Sequence, residues 1–275
     1  MALVLGLGVL GTLIGSFLNV VVYRVPAGRS VVSPPSACGH CGHTVRAYDN
    51  VPVLSWLLLR GRCRDCGAPI SSRYPLVELG TAVLFAVVAW RFLPAALVAP
   101  TPTETVSAVL GLVAFLYLGA ISLALALIDL DVARLPDVIV LPAYVVGPVL
   151  LGASSFLAGD LVPIARAALG ALILATAYFA LAIARPGGMG FGDVKLAGAL
   201  GFFLAWLGWD ALAVGALSAF ILGGAFGAVL MLARRAGRRT AIPFGPWMLA
   251  GAWVGILVGA PLATWYLSLF GLGEP

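Results

Sequence analysis

Polar residues are so sparse along this 275-residue chain that they act as punctuation between apolar runs. Uninterrupted apolar stretches cover about 2–23, 76–99, 105–128, 138–157, 162–184, 195–208, 210–233 and 246–270. A helix of ~20 residues crosses a hydrocarbon layer about 30 Å thick, so the pattern predicts an all-α polytopic membrane protein with about eight transmembrane helices. The segment 195–208 is the short one: fourteen residues reach only ~21 Å as a helix. It is expected to thin the bilayer, to continue into its neighbour, or to sit as a broken helix among the others. Residues 24–75 form the only long polar stretch. Three parts follow: a first transmembrane helix at 1–23, a small extramembrane domain at 24–75, and a helical membrane domain at 76–275. The opening run has no basic flank and no small-residue cleavage site, and is read as a retained helix rather than a signal peptide.

Composition agrees and narrows the class. Apolar residues make up 62% of the chain and charged ones 10%, against roughly 45–50% and about 25% in soluble proteins. A soluble domain and a disordered chain are both excluded. The net charge of +5 matters through its placement. With eight alternating spans, segments 24–75, 129–137, 185–194 and 234–245 share one side. Together with Lys195 at its border, that side holds fourteen of the sixteen basic residues. Only Arg91 and Arg166 fall towards the other. The positive-inside rule makes the basic side cytoplasmic and puts both termini outside. The arginines thus read as topology signals and contacts to anionic lipid, and no nucleic-acid partner is expected. Gly11 with Gly15, and Gly223 with Gly227, offer close helix contacts and are read as packing; so are Ser16 and Asn19. No internal repeat stands out, which gives an inverted-repeat transporter no support.

Inside the polar stretch, Cys38-Gly-His-Cys41 and Cys63-Arg-Asp-Cys66 are separated by 21 residues. Two Cys-x-x-Cys knuckles at this distance have the spacing of a tetrahedral zinc site with four thiolate ligands. A 52-residue loop buries too little to fold alone, and a metal supplies the missing stability. Four thiolates close the coordination shell, so the zinc is structural and His40 and His43 are bystanders.

The acidic residues cluster where apolar runs end. Asp129, Asp131 and Asp137 lie in LIDLDVARLPD, and Asp193 follows the glycine-rich GGMGFGD, with Gly187, Gly188, Gly190 and Gly192 expected to permit positive φ and close backbone approach. Asp137, after Pro136, reads as an N-cap, and Asp131 as a water-facing neighbour of Arg134. Asp129 and Asp193 both reach the cytoplasmic boundary, where two carboxylates can share one proton and activate water against an amide. A helix N-terminus favours the anion at Asp193 and a C-terminus disfavours it at Asp129. Asp193 is therefore the expected base and Asp129 the protonated partner. A proton relay in a transporter uses the same pair.

Together these residues resemble the bacterial prepilin peptidases, or type IV leader peptidases, of the GxGD class of membrane aspartic proteases. The resemblance is carried by GSFLNVVVYRVP at 15–26, the CGHC and CRDC knuckles, YDNVPVLSWLLLRGRCRDC at 48–66, ISSRYPLVEL at 70–79, IDLDVARLPD at 128–137, GFGDVKLAGALG at 190–201 and PFGP at 243–246. CGHC departs from the family's frequent proline after the first cysteine, without consequence for metal binding. The resemblance implies an inner-membrane enzyme that removes the basic leader of type IV prepilins and pseudopilins after a glycine, at the cytoplasmic face. It also implies N-methylation of the new terminus with S-adenosylmethionine as methyl donor. Asp129 and Asp193 match the family's catalytic aspartates, and Cys38, Cys41, Cys63 and Cys66 its zinc-binding domain, which makes 24–75 the methyltransferase part. Gly61 matches a position the family links to methyl transfer, with Glu78, Asp49 and Asn50 as neighbouring candidates. Arg62 and Arg73 are expected to steer a ligand or mark the surface, while Asp131, Asp137 or Glu78 receives the basic leader. Two other classes stay open at this point: the proton-coupled transporter, and a non-catalytic scaffold for pilus or secretion assembly. The sequence leaves the oligomeric state open.

Overall fold

The computed structural model describes residues 1–184, 189–233 and 243–271. Among them nine α-helices follow one another: α1 (Ala2–Arg24), α2 (Leu54–Leu58), α3 (Arg73–Val98), α4 (Pro102–Val132), α5 (Asp137–Leu157), α6 (Val162–Ala184), α7 (Phe191–Leu207), α8 (Trp209–Leu232) and α9 (Gly245–Ser268), with one 3-10 turn at Ala47–Asp49. The only β pairings among the described residues are two isolated bridges, Ala37 with Thr44 and Arg62 with Pro69. Seven of the helices are long and apolar enough to cross a membrane, the mark of a multi-pass membrane protein. Arg185 and the cluster Arg234, Arg235, Arg238 and Arg239, on which much of the topology argument leans, lie outside the described residues.

The eighth expected span is α7, and here the expectation is refined. The helix starts four residues before the apolar run, at Phe191, and still reaches only 17 residues, ~25 Å of rise. Its far half is almost wholly buried, from Leu196 to Ala205 apart from Phe202. It is a core helix rather than a lipid-facing one. Its C-terminal carbonyls, which a buried helix end cannot leave bare, are taken by Arg166 of α6. The guanidinium donates to the carbonyls of Ala205, Trp206 and Leu207 at 2.5, 2.7 and 3.1 Å. Gly208 alone, in an extended conformation, links α7 to α8.

The chain clusters into two compact units. The first comprises residues 1–98 and 115–124. In it α1 lies along α3 with its glycines as the seam: a Cβ on Gly11 would stand 2.8 Å from the Ala82 Cα, and one on Gly15 2.7 Å from the Glu78 Cα. The packing role expected of this pair is what the geometry gives. The Asn19 side-chain amide donates a hydrogen bond to the Tyr74 carbonyl at 3.1 Å, and Phe92 stacks on Phe115 at 4.3 Å. The second unit comprises residues 99–114 and 125–275, with α6 against α7, α8 against α9 and α5 against α7. Gly223 abuts Phe244 and Trp247, whereas the tightest α8–α9 seam runs through Gly215, Gly251 and Gly255, residues whose sequence spacing drew no attention. Serines satisfy one another inside it: Ser107 and Ser154 exchange hydroxyl-to-carbonyl bonds at 2.8 and 2.9 Å.

Candidate active site and metal centre

In the second unit, the end of α4 and the starts of α7 and α9 converge. Asp129, only 5% exposed, stands one turn before the end of α4. Its Oδ2 accepts the Gly245 N–H, at the first residue of α9, at 3.0 Å. A Cβ on Gly245 would lie 2.7 Å from that oxygen, so the bond exists because the residue has no side chain. Beyond Asp129 the helix closes on Ala133 in the left-handed conformation, φ 49° and ψ 47°, whose N–H returns to the Asp129 carbonyl at 2.8 Å. This conformation costs a non-glycine residue about 1 kcal/mol. It turns the chain back, so that Leu135 packs on both Gly192 and Gly245.

Asp193 is the third residue of α7. Its Oδ2 accepts the Gly190 N–H at 2.9 Å, reaching back over the first turn. Gly190 is extended, φ −84° and ψ 154°, and Gly192 is helical. These two glycines therefore serve close approach and not the positive φ expected of them; Gly187 and Gly188 lie outside the described residues. Leu135 packs on Gly192, next to Asp193, and on Gly245, the partner of Asp129, so one side chain spans the two carboxylate-bearing turns. Tyr178 is 2% exposed and joins Phe220 and Phe244 in an aromatic cluster, with ring centroids 5.4 to 6.3 Å apart. A small cavity below is lined by Tyr178, Leu174, Ala197, Leu200, Ala219 and Met248. Tyr178 is a residue that sequence reasoning missed; its only signal is a phenol within the apolar run of α6.

Asp137 corrects an expectation. It is the first residue of α5, not its cap, which is Pro136. Both its carboxylate oxygens take the Lys195 ammonium at 2.8 Å, tying the start of α5 to the first turns of α7, where the Tyr144 hydroxyl also donates to the Lys195 carbonyl at 2.6 Å. Asp131 is exposed.

In the first unit, the sulfurs of Cys38, Cys41, Cys63 and Cys66 all lie within 4.8 Å of one another, with 3.9 Å between those of Cys38 and Cys66. Metal–sulfur bonds of about 2.3 Å in a tetrahedron put sulfurs ~3.8 Å apart, so this cluster fits a metal ion. The two knuckles repeat one design. Gly42 N–H returns to Cys38 O and Gly67 N–H to Cys63 O, each at 2.9 Å, with both glycines at positive φ. The Cys41 and His40 backbone N–H groups draw the Cys38 thiol down to about 6, whereas at Cys66 the Ala68 N–H is outweighed by burial and the other three thiols, which push the thiol up to about 12.

The remaining candidates are engaged with the loop's own frame. Arg64 grips Asp49 with bonds of 2.6 to 3.0 Å, and its guanidinium lies over the Tyr48 ring. The Arg64 hydrogen bonds hold the Asp49 carboxyl below its ordinary value. Arg46 pairs with Asp65 at 2.9 Å, and these contacts lace the 3-10 turn to the second knuckle. Asn50 is exposed at the end of that turn. Gly61 has φ 64° and supports the Trp56 indole, which would lie 2.9 Å from an added Cβ. Glu78, 7% exposed, accepts the Val53 N–H at 2.7 Å and a hydrogen bond from Ser16. Arg62 is exposed.

Residues 9–92 match the family model described as the bacterial peptidase A24 N-terminal domain, and residues 116–232 that of the type IV leader peptidase family. The chain is 39% identical over 288 residues to the prepilin leader peptidase/N-methyltransferase of Aeromonas hydrophila, covering 94% of this chain and 91% of the relative. It is 39% identical over 291 residues to that of Pseudomonas putida, covering 96% and 93%, and 36% identical over 296 residues to that of Pseudomonas aeruginosa, covering 98% and 96%. No solved structure matches the chain.

Proposed function

This chain belongs to the type IV leader peptidase family, and from that premise we propose that it is a membrane aspartic endopeptidase. It removes the leader of type IV prepilins and pseudopilins after a glycine, at the cytoplasmic face of the inner membrane, and N-methylates the terminus it exposes. The observation that carries this reading is the convergence of the helix ends that bear Asp129 and Asp193: each carboxylate is held by one backbone N–H of a glycine, and Leu135 packs on both Gly245 and Gly192 beside them.

Asp193 stands in the first turn of α7, where the helix dipole favours its anion. Asp129 stands in the last turn of α4, where the dipole favours its protonated form. The ionised Asp193 takes a proton from water as the water oxygen attacks the scissile carbonyl carbon. The protonated Asp129 gives its proton to the carbonyl oxygen. As the C–N bond of the resulting gem-diol breaks, Asp193 gives its proton to the departing amine and a gem-diol hydroxyl returns a proton to Asp129, which restores both groups. Leu135 lies beside Gly192 and Gly245 and limits water around the pair. The Gly245 N–H holds Asp129 through the cycle.

Residues 24–75 form the cytoplasmic domain of this reading, residues 1–23 its first transmembrane helix and residues 76–275 its peptidase domain, with both termini outside. Zinc is the metal proposed for Cys38, Cys41, Cys63 and Cys66, where it holds the two knuckles together. S-adenosylmethionine supplies an electrophilic methyl group when bound. Gly61, Glu78, Asp49 and Asn50 are the residues proposed for the methyl-donor site, of which Asp49, Gly61 and Glu78 are held in place by Arg64, Trp56 and the Val53 N–H. Methylation enters the proposal through the relatives, whose name includes N-methyltransferase.

Incubating the purified full-length protein with a synthetic prepilin and S-adenosylmethionine, then weighing the products, tests both activities. Expected are the free leader and a mature chain heavier by one methyl group. Intact prepilin with proton-coupled flux in vesicles supports a transporter instead, and neither activity supports a scaffold.

A further inference from the structure

One feature of the first unit plays no part in either reaction: a short helix whose apolar face points outward from a polar loop. In α2, Ser55 is buried while Leu54, Leu57 and Leu58 are 59%, 57% and 82% exposed. The Trp56 indole N–H is fixed to the Ile70 carbonyl at 3.1 Å. A water-facing loop has no reason to display three leucines on one side of five residues.

Where α2 begins is set by strained backbone. Val53 has φ 61° and ψ −51°, and the Leu54 N–H closes onto the Pro52 carbonyl at 2.6 Å. This is a γ-turn of positive φ, rare and costly for a β-branched residue. Such strain persists only where surrounding contacts over-determine it. Here the contact is the Val53 N–H bonded to the buried carboxylate of Glu78 at 2.7 Å.

That bond fixes depth. Glu78 lies five residues into α3 from Arg73, ~7.5 Å along the axis. Its other partner, Ser16, lies eight residues before the end of α1 at Arg24, ~12 Å along that axis. Tyr74 and Tyr23, 48% and 67% exposed near the same ends of α3 and α1, are the aromatic residues that mark a membrane–water boundary. The start of α2 is thus pinned below the ends of two spanning helices rather than held out in solution. Just after α2, Arg60 and Arg62 are both exposed, the charge that complements an anionic headgroup layer.

We propose that α2 is a membrane-interface helix. Leu54, Leu57 and Leu58 enter the headgroup–acyl boundary of anionic lipid, Arg60 and Arg62 contact its phosphates, and the four-cysteine module is thereby held down on the bilayer. The surface is independent of the enzymatic reading, because its test reads lipid contact and not product.

The probe is dansylalanine in place of Leu58, the most exposed of the three, in otherwise intact full-length protein. The protein is reconstituted in vesicles of phosphatidylcholine with phosphatidylglycerol, some carrying acyl chains brominated near the headgroup. The expected result is blue-shifted emission, quenched about twofold or more by the shallow bromines and shielded from aqueous iodide. Replacing Arg60 and Arg62 by Gln, or omitting phosphatidylglycerol, lowers the bromine quenching. Water-like emission, open to iodide and indifferent to bromine, overturns the proposal. So does emission that turns blue only when prepilin is added, which assigns the leucines to the substrate. Cleavage and methylation measured on the same vesicles report separately on the proposed function.

Discussion

The four thiols and the two aspartates are brought together by opposite means. In the polar loop, side chains do the holding: Arg64 grips Asp49, Arg46 takes Asp65, and Trp56 lies over Gly61. At the meeting of α4, α7 and α9, missing side chains do it, since Gly190 and Gly245 give backbone N–H groups to the carboxylates directly. The first arrangement tolerates exposure and calls for a metal to complete it. The second needs helices that pack tightly enough to keep their ends in register. One site is therefore chemically removable and the other only sterically so.

The largest effect should come from the aspartates. Asp129→Asn and Asp193→Asn each remove an acid–base partner and are expected to cut prepilin cleavage by about a thousandfold or more. Metal content and methylation of an already trimmed pilin peptide should stay near wild type. Mass spectrometry of both reactions on the same preparations checks this. Equal loss of both activities would end the assignment of the two reactions to separate sites.

Metal removal is the converse. Cys38→Ser with Cys66→Ser, or a strong chelator, takes away the ion on which a small domain depends for folding. Amide exchange over residues 36–70 should rise by about a hundredfold, with the α4–α7–α9 region unchanged and methylation falling at least as far as cleavage. Exchange mass spectrometry alongside metal analysis separates this from global unfolding.

Gly245→Ala tests the steric side. Its Cβ would meet the Asp129 carboxylate at 2.7 Å and Leu135 at 3.1 Å, and neither can retreat freely. A shift of this kind is expected to lower kcat by about tenfold to a hundredfold while KM changes little. The four-cysteine module should be untouched, as metal content will report.

How much of this was legible follows from the kind of contact. Cys-x-x-Cys spacing is local, so the clustering of the four thiols could be read from the chain. Apolar run length is also local, and all eight long helices lie near their expected places. Asp137 failed because Pro136–Asp137 looks like a cap until Lys195, 58 residues away, takes the carboxylate. Gly245 did not stand out because its partner is 116 residues distant, and no local pattern distinguishes it from the other glycines. The short α7 could be recognised as short, but its cap is an arginine 39 to 41 residues upstream, where sequence suggested only a charge on the outer side.

Arg166 offers a smaller effect that bears on the same contrast. Its three hydrogen bonds end α7, the helix that carries Asp193 at its other end. Arg166→Ala leaves buried carbonyls unpaired and should cost about 2–3 kcal/mol, enough to lower the thermal midpoint by several degrees. Lysine in its place should recover only part of this, because it lacks the planar fork. Cleavage should then fall no further than the folded fraction does, provided the Gly190 and Gly245 bonds alone place the carboxylates. A kcat loss beyond that would make Arg166 a positioning residue acting along the length of α7.

The smallest effect expected is the pH response of the polar loop. Arg64 holds the Asp49 carboxyl below its ordinary value of 3.8. A lowered carboxylate stabilises the fold at every pH above the ordinary value, and its contribution is lost as pH falls through the lowered one. Arg64 is 49% exposed, so water and salt screen the pair and its share is modest. Asp49→Asn should therefore loosen residues 46–66 slightly at neutral pH and make their exchange rates less sensitive to acid below about pH 4. The comparison belongs at constant metal loading, because protonation of the thiolates also releases metal as the solution is acidified. If the wild type and the Asn variant respond alike below pH 4, the Arg64 clamp contributes nothing to the module and the metal alone maintains it.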